Sequence, residues 1–202
     1  ELVTGVSASF VGMLYNYQLL QYYGEHGVAA YGVVMYVAFL FSSIIFGYDI
    51  GSNPLFAYNH GAENHAELQN LFRKSMVLLS GAGVLLCVAS VCLSYPLAYL
   101  FVGYSPALTE LAQYAFCAFS VFFLLHGYNI FASGLFTAMN NGFISALIAF
   151  ARTFLFQAAA VLLMPLLFGA SSIWWGAAVA ELLTLFISAA LILRFRKPYG
   201  YL

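Results

Sequence analysis

Ionisable side chains are scarce: Asp, Glu, Lys and Arg make up 6% of the 202 residues, where a soluble domain carries roughly 25%. So little charge cannot cover a water-exposed surface, which excludes a soluble globular domain. Six Lys and Arg against seven Asp and Glu leave a formal net charge of −1, so there is no basic field to attract nucleic acid. The three cysteines give no disulfide framework: Cys87 and Cys92 share one apolar stretch and Cys117 lies on the next, the setting of small core residues. His60, Glu63 and His65 do not form H-E-x-x-H, and no metal site is expected there. No nucleophile–base pair or phosphate-binding glycine loop occurs, so neither an enzyme nor a cofactor is expected. The start lacks the charged, apolar and small-residue order of a secretory signal, and Glu1 in first place reads as the interior of a longer chain.

What is abundant is apolar length. Hydrophobic residues make up 64% and the mean hydropathy is +0.93. A bilayer core takes about 20 apolar helical residues to cross, and six stretches qualify, at 3–23, 28–51, 75–95, 107–139, 143–167 and 173–193. The expected fold is an all-α integral membrane protein, a single six-transmembrane-helix bundle over 1–202. Gly51-Ser52-Asn53-Pro54 reads as the end of the second span and Pro96 as the end of the third. The polar run 59–74 reads as an amphipathic helix on the membrane surface. The fourth stretch exceeds one perpendicular crossing, so a tilt, an extension, or a kink near Gly127 or Gly134 is expected.

Six crossings put both termini on one side. Arg73 and Lys74 follow the second span and Arg194, Arg196 and Lys197 follow the sixth, whereas the opposite loops, near Glu25, Tyr104 and Ser171, hold no Lys or Arg. Basic residues mark the cytoplasmic face, so cytoplasmic termini in a plasma or inner membrane are expected.

An ionisable group inside a bilayer needs a partner or a task. Arg152 lies about 14 Å and Glu181 about 18 Å from the same edge at 1.5 Å per residue. Two antiparallel spans thus set opposite charges at similar depth, and an intramembrane ion pair is expected. It either pins two helices together or serves coupling or gating. Asp49, near the cytoplasmic edge, reads as an interfacial carboxylate or as a proton or cation ligand at an inner mouth. His126 has Asn129 on the same helical face, as hydrogen-bonded structure or as a relay.

On the first span Ser9, Gly12, Asn16 and Leu20 share a face edged by Tyr15 and Tyr17, with Gln18 and Gln21 further round. That face reads as a wall of a water-filled cavity or as a helix–helix hydrogen-bonding seam. With 20 Phe and 15 Tyr, a polar-aromatic cavity would suit amphipathic cations through cation–π contact. Gly47 with Gly51, and Gly81 near Gly83, read as close helix contacts.

Three runs carry a resemblance. GYDIGSNPLFAYNHGAEN, from Gly47 to Asn64, resembles the end of the eighth helix and following loop of the multidrug and toxic compound extrusion (MATE) transporters, through Gly47, Gly51, Pro54, Asn59, Gly61 and Ala62. FTAMNNGFISALIAFARTFLF, from Phe136 to Phe156, resembles that family's connection between helices ten and eleven, and Ala180 to Leu183 its twelfth helix. The order matches helices seven to twelve over essentially the whole chain.

The resemblance implies one lobe of a two-lobe, twelve-helix transporter, partnered by an N-terminal six-helix lobe or by a second copy of this chain. It implies multidrug efflux by antiport with sodium ions or protons, through rocking of the lobes about a central cleft that takes amphipathic cationic small molecules. Some sodium-coupled members carry acidic ligands on the seventh and tenth helices. Here the first span has no carboxylate within the membrane and Glu110 lies at the outer end of the fourth, so that cation site does not carry over. The coupling carboxylate of other members lies on the first helix, in the other lobe. A lipid-linked saccharide flippase of the same superfamily would need several cleft arginines, where this chain has one; a non-transporting membrane scaffold is the remaining alternative.

Overall fold

With no water to satisfy backbone N–H and C=O groups, a chain in lipid must close its hydrogen bonds within helices. The computed structural model describes the backbone of residues 2–202 and the side chains from residue 5 onward, and every described element is helical. In order these are α1 (Leu2–Gly61), α2 (His65–Cys92), α3 (Ser94–Val102), α4 (Pro106–Ala138), α5 (Gly142–Phe150), a π-helical segment (Ala151–Phe156), α6 (Gln157–Phe168), a 3-10 segment (Ala170–Trp175) and α7 (Gly176–Tyr199). Five helical runs are long and apolar enough to cross a membrane.

The first run is long enough to cross twice. Gly24 takes φ 62°, ψ −151°, a conformation open to glycine, and divides α1 into arms 2–23 and 25–61. The arms fold against each other, stacking Tyr15 on Tyr31 with ring centroids 5.1 Å apart. Six apolar passes therefore come from five continuous runs.

α4 occupies the middle, burying Phe116, Phe123, Phe131, Leu135 and Phe136, while Phe39, Leu100, Phe143 and Leu166 stay exposed on the outer faces. Large apolar residues outside suit contact with lipid. Lipid gives no hydrophobic drive between helices, so close packing and internal polar contacts hold the bundle.

Several boundaries differ from expectation. α1 does not stop at Gly51–Pro54; Pro54 is accommodated inside it and the helix runs on to Gly61. One missing N–H is tolerated within a long helix, whereas the left-handed backbone at Glu63 (φ 54°) reverses the chain. Asn64 then caps α2, its side chain accepting from the Glu67 N–H at 3.3 Å. The run 59–74 is therefore the end of α1, a turn and the first turns of α2, and not a separate surface helix. Pro96 sits in the first turn of α3, where its missing N–H costs little, and the break falls at Leu93. α4 is one continuous helix through Gly127 and Gly134. Gly47, Gly51 and Gly81 face open space, and of the expected glycine contacts only Gly83 is close, against the backbone of Phe123 and Leu124 on α4.

The turn after α1, the turn after α4 and the C-terminus meet at one end. Tyr199 receives a hydrogen bond from the Asn141 side chain at 2.9 Å and packs edge-on to His60 at 5.4 Å. Tyr201 is fully buried, stacks on Phe72 at 5.5 Å and donates its hydroxyl to the Ile192 carbonyl at 2.9 Å. Burial, with Tyr199 beside it, raises the Tyr201 phenol pKa and keeps that donor protonated.

Candidate functional site

His126 and Asn129 of α4 lie three apart, on one face, and that face meets α7. Glu181 is 1% exposed, and a carboxylate there must be compensated by hydrogen bonds and charge. Asn129 Nδ2 donates to Glu181 Oε2 at 2.6 Å and to the Glu181 carbonyl at 2.9 Å. Ser188, two turns along α7, donates to Asn129 Oδ1 at 2.8 Å, which fixes the orientation of the amide. His126 Nδ1 lies 2.9 Å from Glu181 Oε1.

Arg152 completes the cluster from the π-helical segment. Its Nη1 is 3.5 Å from Glu181 Oε1 and 3.4 Å from His126 Nδ1. The sequence places Arg152 and Glu181 together, and they do meet, but His126 and Asn129 lie closer to the carboxylate. The wider turn from Ala151 to Phe156 is the kind of single-turn π insertion that often sits at functional positions. It re-aims one turn of side chains, Arg152 among them, relative to the regular helices on either side.

Asp49 joins from the second arm of α1. Its carboxylate lies against Gly134 so closely that a Cβ there would collide with it. Oδ1 itself has no hydrogen-bond partner among the described residues, while the Asn53 side chain lies beside the carboxylate and Arg152 within its electrostatic reach. The cluster thus holds two carboxylates, one guanidinium and one imidazole.

Beside it lies a cavity of about 420 Å³ between both arms of α1, α4, α6 and α7. Tyr15, Tyr31, Phe46, Phe122, His126 and Gln157 are among its walls. The His126 ring lies 4.2 Å from the Phe122 ring and edge-on to Phe46 at 6.0 Å. Tyr15 is on this wall, but Asn16 is not: its side chain donates to the Gly12 carbonyl of its own helix at 3.0 Å. Asn16 instead borders shallower grooves between the arms of α1. The sequence reading foresaw an aromatic cavity with Tyr15 on its wall, but Ser188, Gln157, Tyr31, Phe46 and Phe122 escaped it. Ser188 lies seven residues beyond Glu181, a helical spacing that could have drawn attention to it. Among the described residues no three or more His, Cys, Asp and Glu side chains converge as a metal-ligand group.

The chain can be compared with known proteins on this geometry. Its fold is similar to the Vibrio cholerae MATE transporter VcmN in a bent form, at 16% identity and a TM-score of 0.86, covering 98% of this chain and 44% of that one. It is similar to a MOP superfamily transporter from Pyrococcus furiosus at 18% identity, with a TM-score of 0.87 and the same 98% and 44% coverage. An inward-facing multidrug resistance MATE family transporter matches at 18% identity and a TM-score of 0.86, over 96% of this chain and 46% of that one. The chain thus spans less than half the length of the solved structures it matches. No curated protein matches its sequence. The MatE family profile matches residues 2–163, most of the chain, and the chain therefore belongs to the MatE family of membrane transporters.

Proposed function

We propose that this chain is the C-terminal lobe of a cation-coupled multidrug exporter, and that its own buried cluster takes part in the coupling. The supporting observation is a charge count. Glu181 and Asp49 bring two negative charges and Arg152 one positive charge, so the cluster carries −1 while His126 is neutral. Uncompensated charge in a low-dielectric interior is costly. One monovalent cation, a proton or a sodium ion, balances the cluster and is the natural exchangeable species. This reading puts a cation site within the lobe, on residues other than the acidic positions that the family resemblance offers.

The aromatic cavity beside the cluster supplies the other half of an antiport cycle, a place for an amphipathic cation. An N-terminal six-helix lobe would close the cleft, and alternating access would follow from rocking of the two lobes. The flippase reading is disfavoured because the one intramembrane arginine is held by Glu181 and is not among the residues lining the cavity.

The test is ethidium transport in proteoliposomes containing this chain with its N-terminal lobe, under a sodium gradient or a proton gradient imposed separately. Uptake driven by one of the two gradients is expected. Absence of movement under both would sink the exporter reading.

A further inference from the structure

α2 changes character at Lys74. Its opening residues, 65–74, are largely polar, and from Ser75 to Cys92 it holds no charged side chain. That run is about 27 Å long at 1.5 Å per residue, close to the hydrocarbon thickness of a bilayer. Lys74 therefore stands where hydrocarbon gives way to headgroups. The second arm of α1 passes beside it, tied at the same level by the Tyr48 hydroxyl, which donates to Ser75 Oγ at 2.7 Å.

Between the two helices runs a groove of about 390 Å³. One side is a row on a single face of α1, Gly47, Gly51 and Leu55, and the other is Leu71, Lys74 and Leu78 on α2. A Cβ added at either glycine would meet nothing within 4 Å, so the floor of the trough is bare backbone. From Gly47 to Leu55 it extends roughly 12 Å, a length that suits a stretch of acyl chain. No Asp or Glu is among the described residues that line it, and among those residues the Lys74 ammonium has neither a hydrogen bond nor an ion pair. Arg73 lines a different recess, beside Phe72 and Tyr201, which leaves Lys74 as the one charged residue among those lining the groove.

We propose that this groove binds an anionic phospholipid, with one acyl chain laid in the trough over Gly47 and Gly51 and the phosphate at the Lys74 ammonium. A lysine stem lies along apolar surface while its head reaches water, which carries the charge from the groove wall to the level of the headgroups. A zwitterionic lipid brings its own ammonium beside the phosphate and gains little from Lys74, so charge complementarity selects the anionic class. The basic residues at this end are expected to mark the cytoplasmic side, whose leaflet carries anionic lipid. An apolar helix seated in the groove would cover the lysine and leave its charge unpaired against hydrocarbon, which is costly. The groove shares no residue with the Glu181 cluster or the aromatic cavity, and lipid binding there stands whether or not the lobe exports drugs.

The test is photo-crosslinking of the two-lobed protein carrying Leu78→p-benzoylphenylalanine, in proteoliposomes of equal parts phosphatidylglycerol and phosphatidylcholine. Mass spectrometry then reads which lipid is attached. Phosphatidylglycerol adducts should exceed phosphatidylcholine adducts about fivefold, the preference that one lysine near a membrane surface confers. Lys74→Gln should bring that ratio close to one. Gly51→Leu, which fills the trough, should do the same with the lysine intact. The same label at Leu166, exposed on α6, should take the two lipids equally. Equal adducts at Leu78, an unchanged ratio in either variant, a similar excess at Leu166, or crosslinking to protein in place of lipid overturns the proposal.

Discussion

His126 and Glu181, 55 residues apart in sequence, meet at 2.9 Å between α4 and α7, and Arg152 reaches the same carboxylate oxygen at 3.5 Å. Replacing Glu181 with Met takes from Arg152 its bonded carboxylate and leaves Asn129 only the backbone carbonyl at that position as acceptor, at a cost of about 3–5 kcal/mol. The double replacement Arg152→Met with Glu181→Met removes both charges and should recover a large part of that loss. Thermal unfolding of the four proteins in detergent measures this. A double-variant loss equal to the sum of the single losses would show that the two side chains do not interact.

A collision controls the contact between α1 and α4. A methyl at Gly134 would meet the Asp49 carboxylate, so Gly134→Ala should destabilise by about 1–3 kcal/mol, as overpacking does. Asp49→Ala should absorb most of that penalty, giving strong non-additivity between residues in contact. Independent losses would mean that Asp49 turns away from Gly134.

The C-terminal turn acts as a clasp on one end of the bundle. Tyr201→Ala removes a buried ring stacked on Phe72, for about 3–5 kcal/mol. Tyr201→Phe loses one hydrogen bond, for about 1 kcal/mol. Hydrogen exchange at 60–65 should quicken in the alanine variant and change little in the phenylalanine variant.

The same clasp gives a topological prediction. Single cysteines at Gly61 and Leu202, in a background with Cys87, Cys92 and Cys117 replaced, should label from one side of the membrane with an impermeant maleimide. A cysteine at Tyr104 should label from the other. From the density of Arg and Lys near 73–74 and 194–197, the first side is expected to be the cytoplasmic one. Labelling of Gly61→Cys and Leu202→Cys from opposite sides would overturn the topology.

Much of the architecture was legible because apolar length and the bilayer's thickness are linked by simple geometry. The approach of Arg152 and Glu181 was legible from equal depth on consecutive antiparallel helices. What the sequence concealed was rotation about each helix axis. The π-helical turn at Ala151–Phe156 shifts the angular position of Arg152 in a way that a fixed 3.6-residue period cannot anticipate. The spacing left Asn16 either on a cavity wall or in a helix–helix seam, and it borders the grooves between the arms of α1 with its amide taken up by the Gly12 carbonyl of its own helix. Pro54 looked like a terminator, but the reversal came from the left-handed Glu63 and the Asn64 cap. Proline and glycine mark where a helix can end, and local capping decides where it does.

The central claim is that the excess negative charge of the buried cluster holds the exchanged cation, and Asp49→Asn tests it most directly. The substitution preserves shape, lies outside the closely bonded Glu181 network and leaves Arg152 and Glu181 balanced with no cation needed. Ethidium flux in proteoliposomes of the two-lobed protein, measured with and without the driving gradient, should lose at least about tenfold of its gradient-dependent component, the scale of 1.4 kcal/mol of coupling free energy. Unfolding temperature in detergent should stay near that of the wild type. An Asp49→Asn protein that keeps the full gradient dependence of its parent would contradict the account.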